Sequence, residues 1–184
     1  MQIKQSLKWG HQPLLSSSGS ARLDSEVLLS FVIKKPVTFL FTHNENEINF
    51  FKLWKYKKLI EKRKKGIPVS YLTGNKEFYF LDFHVNRNVL VPRPDTEILV
   101  ECVIQYLNNI KGSIFDFRFS NLLLLDVGTG SACIPISVLK SVDGLNAIAT
   151  DISRNALKIA KKNVKKHNLT SRIELIRSDL LKDI

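Results

Sequence analysis

The chain has 184 residues, 44% of them hydrophobic and 24% charged, which suits one soluble domain or a small one plus part of another. No apolar run approaches the roughly 20 residues that cross a bilayer, and Met1 to Gly10 holds no signal-peptide block, so neither a membrane nor an exported protein is expected. The 28 Lys and Arg against 17 Asp and Glu give a net charge of +11, which serves either general solvation or acidic partners such as RNA or a ribosomal surface.

Cys102 and Cys133 lack the spacing of a disulfide or zinc framework. His11, His43, His84 and His167 are scattered, so no metal is expected.

From Met1 to about Leu72 the pattern is helical. Leu23, Val27, Leu28 and Phe31 predict an amphipathic helix over Ala21 to Ile33, with Ser16 to Ser20 supplying cap-competent hydroxyls and Pro36 ending it. A longer helix is predicted over Glu45 to Lys65, burying Ile48, Phe51 and Leu59 and stopped by Gly66-Ile67-Pro68. Between Lys52 and Lys65, eight Lys or Arg face the single acid Glu61, interleaved with Trp54 and Tyr56. That stripe is either an RNA- or ribosome-facing surface with stacking aromatics, or a solvated face whose aromatics pack inward.

The aromatic stretch Glu77 to Val85 breaks helical periodicity and predicts a hairpin turning at Leu81-Asp82. Pro92-Arg93-Pro94-Asp95-Thr96-Glu97 is a helix-start signal. The helix after it spans Ile98 to about Asn108 and carries Val100, Val103, Ile104 and Leu107, followed by a loop from Gly112 to Ser120.

Leu122 to Val127 then runs into Gly128-Thr129-Gly130 and a helix on which Ile134, Val138 and Leu139 share a face. Strand, Gly-x-Gly, helix is the opening of a parallel α/β cofactor site, because glycines turn sharply without Cβ atoms and the helix start leaves free N–H groups. Cys133 stands where a dinucleotide loop has its third glycine. The next apolar run ends in Asp151, 151 − 128 = 23 residues beyond Gly128, where an acid is placed to hold two ribose hydroxyls. That combination is the S-adenosylmethionine (SAM) form of the pattern, against the plainer alternative of a strand–helix turn with no ligand. A helix from Ser153 to His167 follows, burying Leu157, Ala160 and Val164. A third strand, Arg172 to Arg177, then leads to Ser178-Asp179-Leu180.

Five further segments carry a resemblance: Ala21 to Leu29, Gly66 to Gly74, Glu77 to Phe83, Val89 to Glu97, and Asp126 to Ile134 with Ala149-Thr150-Asp151. In this order they resemble the release-factor glutamine N5-methyltransferases of the HemK/PrmC type. The resemblance implies an α/β chain with a helical substrate-docking domain (1–73), a β-hairpin linker (74–91) and the first half of a Rossmann-type SAM-binding domain (92–184). It implies methylation of a glutamine side-chain amide in peptide chain release factors, in the cytoplasm.

Carried over, Gly128, Thr129, Gly130, Ser131 and Ala132 would line the methionine part of SAM, Asp151 its ribose, and Asp179 and Leu180 its adenine, with Pro92 to Pro94 near the pocket mouth. Three departures follow from the same comparison. The family has glycine at Ala132, Pro135 removes a donor early in a helix, and the substrate motif Asn-Pro-Pro-Tyr has no counterpart among six prolines that lack proline neighbours. No catalytic residue is therefore assigned. Methyl transfer by residues 1–184 is expected to be weak or absent, and Leu122 to Val127 is expected at an apolar sheet edge. The alternatives are a non-catalytic SAM- or release-factor-binding remnant and a nucleic-acid methyltransferase.

Overall fold

The computed structural model describes residues 1–113, 122–182 and 184, which form two compact units, Met1–Gly74 and Asn75–Ile184. In the first, α1 (Ile3–His11), a 3₁₀ turn (Gln12–Leu14), α2 (Ala21–Ile33), α3 (Val37–Thr42), α4 (Phe50–Lys64) and α5 (Val69–Thr73) surround one apolar core.

The buried stripe of α2 is Ala21, Asp24, Ser25, Leu28, Leu29 and Val32, a helical spacing rotated away from the predicted one. Leu23 and Phe31, expected inside, are exposed. The rotation has a polar cause. Arg63 Nε donates to Asp24 Oδ2 at 2.7 Å, and the hydroxyls of Ser18 and Ser20 donate to the same carboxylate at 2.6 and 3.0 Å. Ser25 Oγ and Tyr56 Oη share a buried 2.6 Å hydrogen bond. Partnered side chains can be buried where a hydropathy pattern forbids it. Burial pushes the Tyr56 hydroxyl up to about 12, against the bond to Ser25.

Helix α4 starts later than predicted, at Phe50, with the Asn49 side chain accepting the Phe51 N–H at 2.9 Å. Ile48 and Leu59 are buried as expected, but Phe51 is exposed, because Tyr56, Leu59 and Ile60 form the inward face.

In the second unit, β1 (Asn75–Phe78) and β2 (Leu81–His84) pair antiparallel in the register Phe78↔Leu81, so the turn is Tyr79-Phe80 rather than Leu81-Asp82. Both turn residues are left-handed, at φ 48° and 59°, as a two-residue turn of this twist demands, although Asn and Gly are its usual occupants. The Tyr79 N–H is held by Glu97 Oε1 at 3.0 Å. Helix α6 spans Asp95–Ser113, longer at both ends than predicted. It therefore includes Gly112 and Ser113, and the rest of the predicted loop lies outside the described residues.

The strands β3 (Leu123–Val127), β4 (Asn146–Asp151) and β5 (Ile173–Arg177) form a parallel sheet in the order β3-β4-β5, connected by α7 (Cys133–Ser141) and α8 (Arg154–Lys166). Ala156, Ile159, Ala160 and Val164 of α8 are buried, whereas Leu157 is only half-buried. Alternate residues of β3, namely Leu123, Leu125 and Val127, are exposed. Among the described residues β3 has β4 as its strand neighbour, and no helix is long and apolar enough to cross a membrane.

A Cβ built on Gly10 would fall 1.9 Å from Tyr56 Oη and 2.9 Å from Ser25 Oγ. Gly10→Ala is therefore expected to cost about 3 kcal/mol in urea unfolding. Asp24→Ala, which strands a largely buried guanidinium, should cost about the same. Leu23→Ala, on the predicted but exposed face, should stay within about 0.5 kcal/mol.

Candidate cofactor-binding site

The glycine-rich loop is anchored to the strand beside it. The N–H groups of Gly128 and Thr129 both donate to the carbonyl of Thr150, at 2.9 and 2.8 Å. Gly128 and Gly130 take φ of 76° and 56°, a conformation glycine adopts without steric cost. A Cβ on Gly128 would meet nothing within 4 Å, and one on Gly130 only the Gly128 carbonyl at 4.0 Å. The glycines thus serve the turn, and the space above them is open.

The acid that ends β4 reaches this loop. Gly130 N–H donates to Asp151 Oδ2 at 2.9 Å, and Ser153 N–H donates to Oδ1 at 2.8 Å. One carboxylate joins the loop to the start of α8, where the Ser153 hydroxyl accepts the Ala156 N–H at 3.2 Å. Each carboxylate oxygen keeps acceptor capacity for a further donor.

Ala132 caps α7 in the left-handed region at φ 60° and is fully buried. The departure from glycine at this position thus carries backbone strain of about 1 kcal/mol, not merely an added methyl group. Pro135 turns out to be harmless: it is the third residue of α7, where the N–H has no partner within the helix. Burial pushes the Cys133 thiol up to about 11, leaving it an inert part of the core.

Asp126 lies opposite Ala149, two residues before Asp151 on the neighbouring strand, so the two acids share one face of the sheet. Burial holds the Asp126 carboxyl above the usual carboxylate range, with the Thr129 side chain opposing the rise and the charge of Asp151 adding to it. Asp126 Oδ2, Thr129 Oγ1 and Thr150 Oγ1 are buried without a hydrogen-bond partner. Unsatisfied polar atoms beside an open, glycine-lined loop suit a ligand that brings donors. Among the described residues, no cluster of His, Cys, Asp and Glu is placed to hold a metal ion.

Asp179 and Leu180 follow β5 at the same end of the sheet, since the Ser178 N–H donates to the carbonyl of Asp151 at 3.3 Å. Both are exposed; Asp179 pairs with Lys182, and Leu180 is left-handed at φ 58°. Pro92 is buried, and the carbonyls of Arg93 and Pro94 accept from Thr96 and Glu97 in the first turn of α6.

One residue that the sequence did not single out is central. Asn163, fully buried on α8, accepts the His84 N–H at 2.7 Å and donates to the carbonyls of His84 at 3.0 Å and Ser131 at 2.9 Å. It clamps the hairpin to the glycine-rich loop. Next to it, His167 Nε2 lies 3.0 Å from the Asp82 carbonyl. The available signal was a polar residue on the inward stripe of α8, three after Ala160 and one before Val164.

Three parallel strands in this order, with Asp-x-Gly-x-Gly leaving the first and an acid at the end of the second tied to that loop, define half of a Rossmann-like methyltransferase fold. Residues 5–74 match the family described as PrmC N-terminal domain, and residues 112–184 match the methyltransferase domain family. One of these matches falls on the helical unit and the other within the unit that holds the parallel sheet.

It is 40% identical over 184 residues to a release factor glutamine methyltransferase of Clostridium acetobutylicum, covering 98% of this chain and 61% of that one. A release factor glutamine methyltransferase of Shewanella oneidensis is 33% identical, with 96% and 58% covered. A bifunctional methyltransferase of Rickettsia conorii is 38% identical, with 90% and 34% covered. The chain thus spans less than two thirds of these relatives' own lengths. Among solved structures, the N-terminal domain of human METTL16 overlaps 84% of this chain and 55% of its own at 17% identity, with a TM-score of 0.42.

Replacing Asn163 with Leu leaves three backbone groups without their partner. It is expected to cost on the order of 3 kcal/mol in denaturant unfolding followed by circular dichroism. Asp126 makes the opposite kind of prediction. Its carboxyl binds a proton more tightly folded than unfolded, so the ligand-free protein loses stability as pH rises from the unfolded value of about 3.9 through the raised folded one. Asp126→Asn should therefore be the more stable form at neutral pH, with the gap closing below about pH 4.

Proposed function

We propose that this chain binds SAM over the Gly128–Ala132 loop and contributes the docking domain and cofactor half of an enzyme that methylates a glutamine side-chain amide (N5) in peptide chain release factors, in the cytoplasm. The observation that carries the cofactor reading is the contact between Gly130 N–H and the Asp151 carboxylate, which joins the two sequence signals in one place.

In this reading Gly128, Thr129, Gly130, Ser131 and Ala132 cradle the amino-acid end of SAM. The first N–H groups of α7 face its carboxylate, and Asp126 Oδ2 accepts from its ammonium. The free acceptor capacity of Asp151 takes the ribose hydroxyls, and Asp179 and Leu180 flank the adenine. When bound, SAM supplies an electrophilic methyl group on its sulfonium. An amide nitrogen is a poor nucleophile, so positioning and electrostatics supply most of the acceleration. The Asn-Pro-Pro-Tyr groups that serve this purpose in the family are absent from residues 1–184. The helical unit, which matches the PrmC N-terminal domain, is the release-factor docking part.

Calorimetry of residues 1–184 with SAM should give a saturable heat. Gly130→Asp, which sets a charged side chain in the open space above the loop, should abolish it, and Asp151→Ala should weaken binding at least tenfold (about 1.4 kcal/mol). A folded wild-type chain with no heat would sink the proposal. Methyl transfer to a release factor by residues 1–184 alone should stay at background, and clear transfer would refute the role given to the absent motif.

A further inference from the structure

Helix α4 buries one face and leaves an unusual one outside. Phe50, Phe51 and Trp54 are 73%, 76% and 52% exposed, while Tyr56, Leu59 and Ile60 point into the core. On a helical wheel, Lys58, Lys62 and Lys65 fall in the same outward sector as these three rings, with Glu61 as its one acid. Packing therefore explains neither reading of the stripe in full, since one of its aromatics is inside and another outside.

The side chains are arranged for contact rather than for solvation alone. Lys58 Nζ sits 3.6 Å from the Trp54 ring centroid. Phe50 and Phe51 meet edge-on, with centroids 5.8 Å apart and planes at 76°, and both stay largely exposed. Arg63 pairs with Asp24, while Lys55 and Lys57 lie over Phe31 and Trp9, rings outside this exposed trio, and Lys58 covers one face of Trp54. The lysines of the last turn also complement the helix dipole, but that accounts for no exposed ring. At about 1.5 Å per residue, the ridge from Trp54 to Lys65 runs roughly 16 Å, with stacking surfaces at one end and positive charge along the rest.

We propose that the outward face of α4, with Phe50, Phe51 and Trp54 as base-stacking platforms and Lys58, Lys62 and Lys65 as phosphate contacts, is a docking surface for single-stranded RNA. Stacked bases with a paired cationic track are the signature of single-strand recognition. An acidic protein uses the charge but not the rings, and a lipid surface uses the rings but not a charge track that extends beyond them. The surface is distinct from the cofactor loop and does not depend on the SAM reading.

The test is filter binding of an unstructured single-stranded RNA to the 184-residue chain across a salt series. Wild type should bind, with a clear log–log salt slope. Phe51→Ala with Trp54→Ala, which removes two stacking platforms, should weaken binding by at least roughly 30-fold without changing that slope. Lys58→Ala with Lys62→Ala should lower the slope by about 1.4, at roughly 0.7 per phosphate. A control pair on α8, Lys161→Ala with Lys162→Ala, should change affinity less than twofold. SAM calorimetry on the α4 variants should be unchanged, which separates failure here from failure of the cofactor site.

The proposal is overturned if wild type does not bind RNA, if the aromatic pair binds as wild type, or if the α8 pair loses as much as the α4 lysines. Equal competition by polyglutamate, or capture by phosphatidylglycerol vesicles without RNA binding, would overturn it in favour of an acidic protein or a membrane surface.

Discussion

The carboxylate of Asp151 holds two backbone N–H groups, one from the glycine loop after β3 and one from the start of α8. On it depends the joining of the glycine loop, 21 residues upstream, to the end of β4 and the start of α8 at one end of the sheet. A side chain that fixes geometry and keeps spare acceptor capacity can meet a ligand without rearrangement, which lowers the cost of binding. Beside it the loop carries tension: Asp126, with one buried carboxylate oxygen unsatisfied, and the left-handed Ala132 both cost free energy that the rest of the fold offsets.

Asn163 extends this constraint to the hairpin. With Oδ1 on one backbone group and Nδ2 shared by two others, a single amide makes the loop and β2 respond together. Sequence separation hides such couplings. His84 and Ser131 are distant from Asn163 along the chain, and neither presents a side chain for it to bind.

Much of the second unit was legible from residues 122 onward, because a βαβ unit writes its signals locally: an apolar strand, a glycine corner, an acid at the next strand's end and a helical stripe. Elsewhere local pattern lost to tertiary partners. The inward face of α2 is set by Asp24 and Ser25, which hydropathy counts as surface residues but Arg63 and Tyr56 draw inside. The hairpin turn falls on Tyr79-Phe80, against ordinary turn preference, where Glu97 secures the backbone. Phe51 was expected inside because it is apolar, yet the helix start at Asn49 and the burial of Tyr56 place it outside. Of the site residues, the glycine loop and Asp151 were visible as motifs. Asn163 was not, since its role lies entirely in backbone atoms of other segments.

The division of the chain also partitions its natural optical reporters. Both tryptophans, Trp9 and Trp54, belong to Met1–Gly74, and Trp9 packs edge-on against the buried Tyr56. Indole emission therefore follows melting of the helical unit and is silent on the sheet, whose own unfolding must be read from the backbone. Disagreement between the two signals would be a direct measure of how independently the halves come apart.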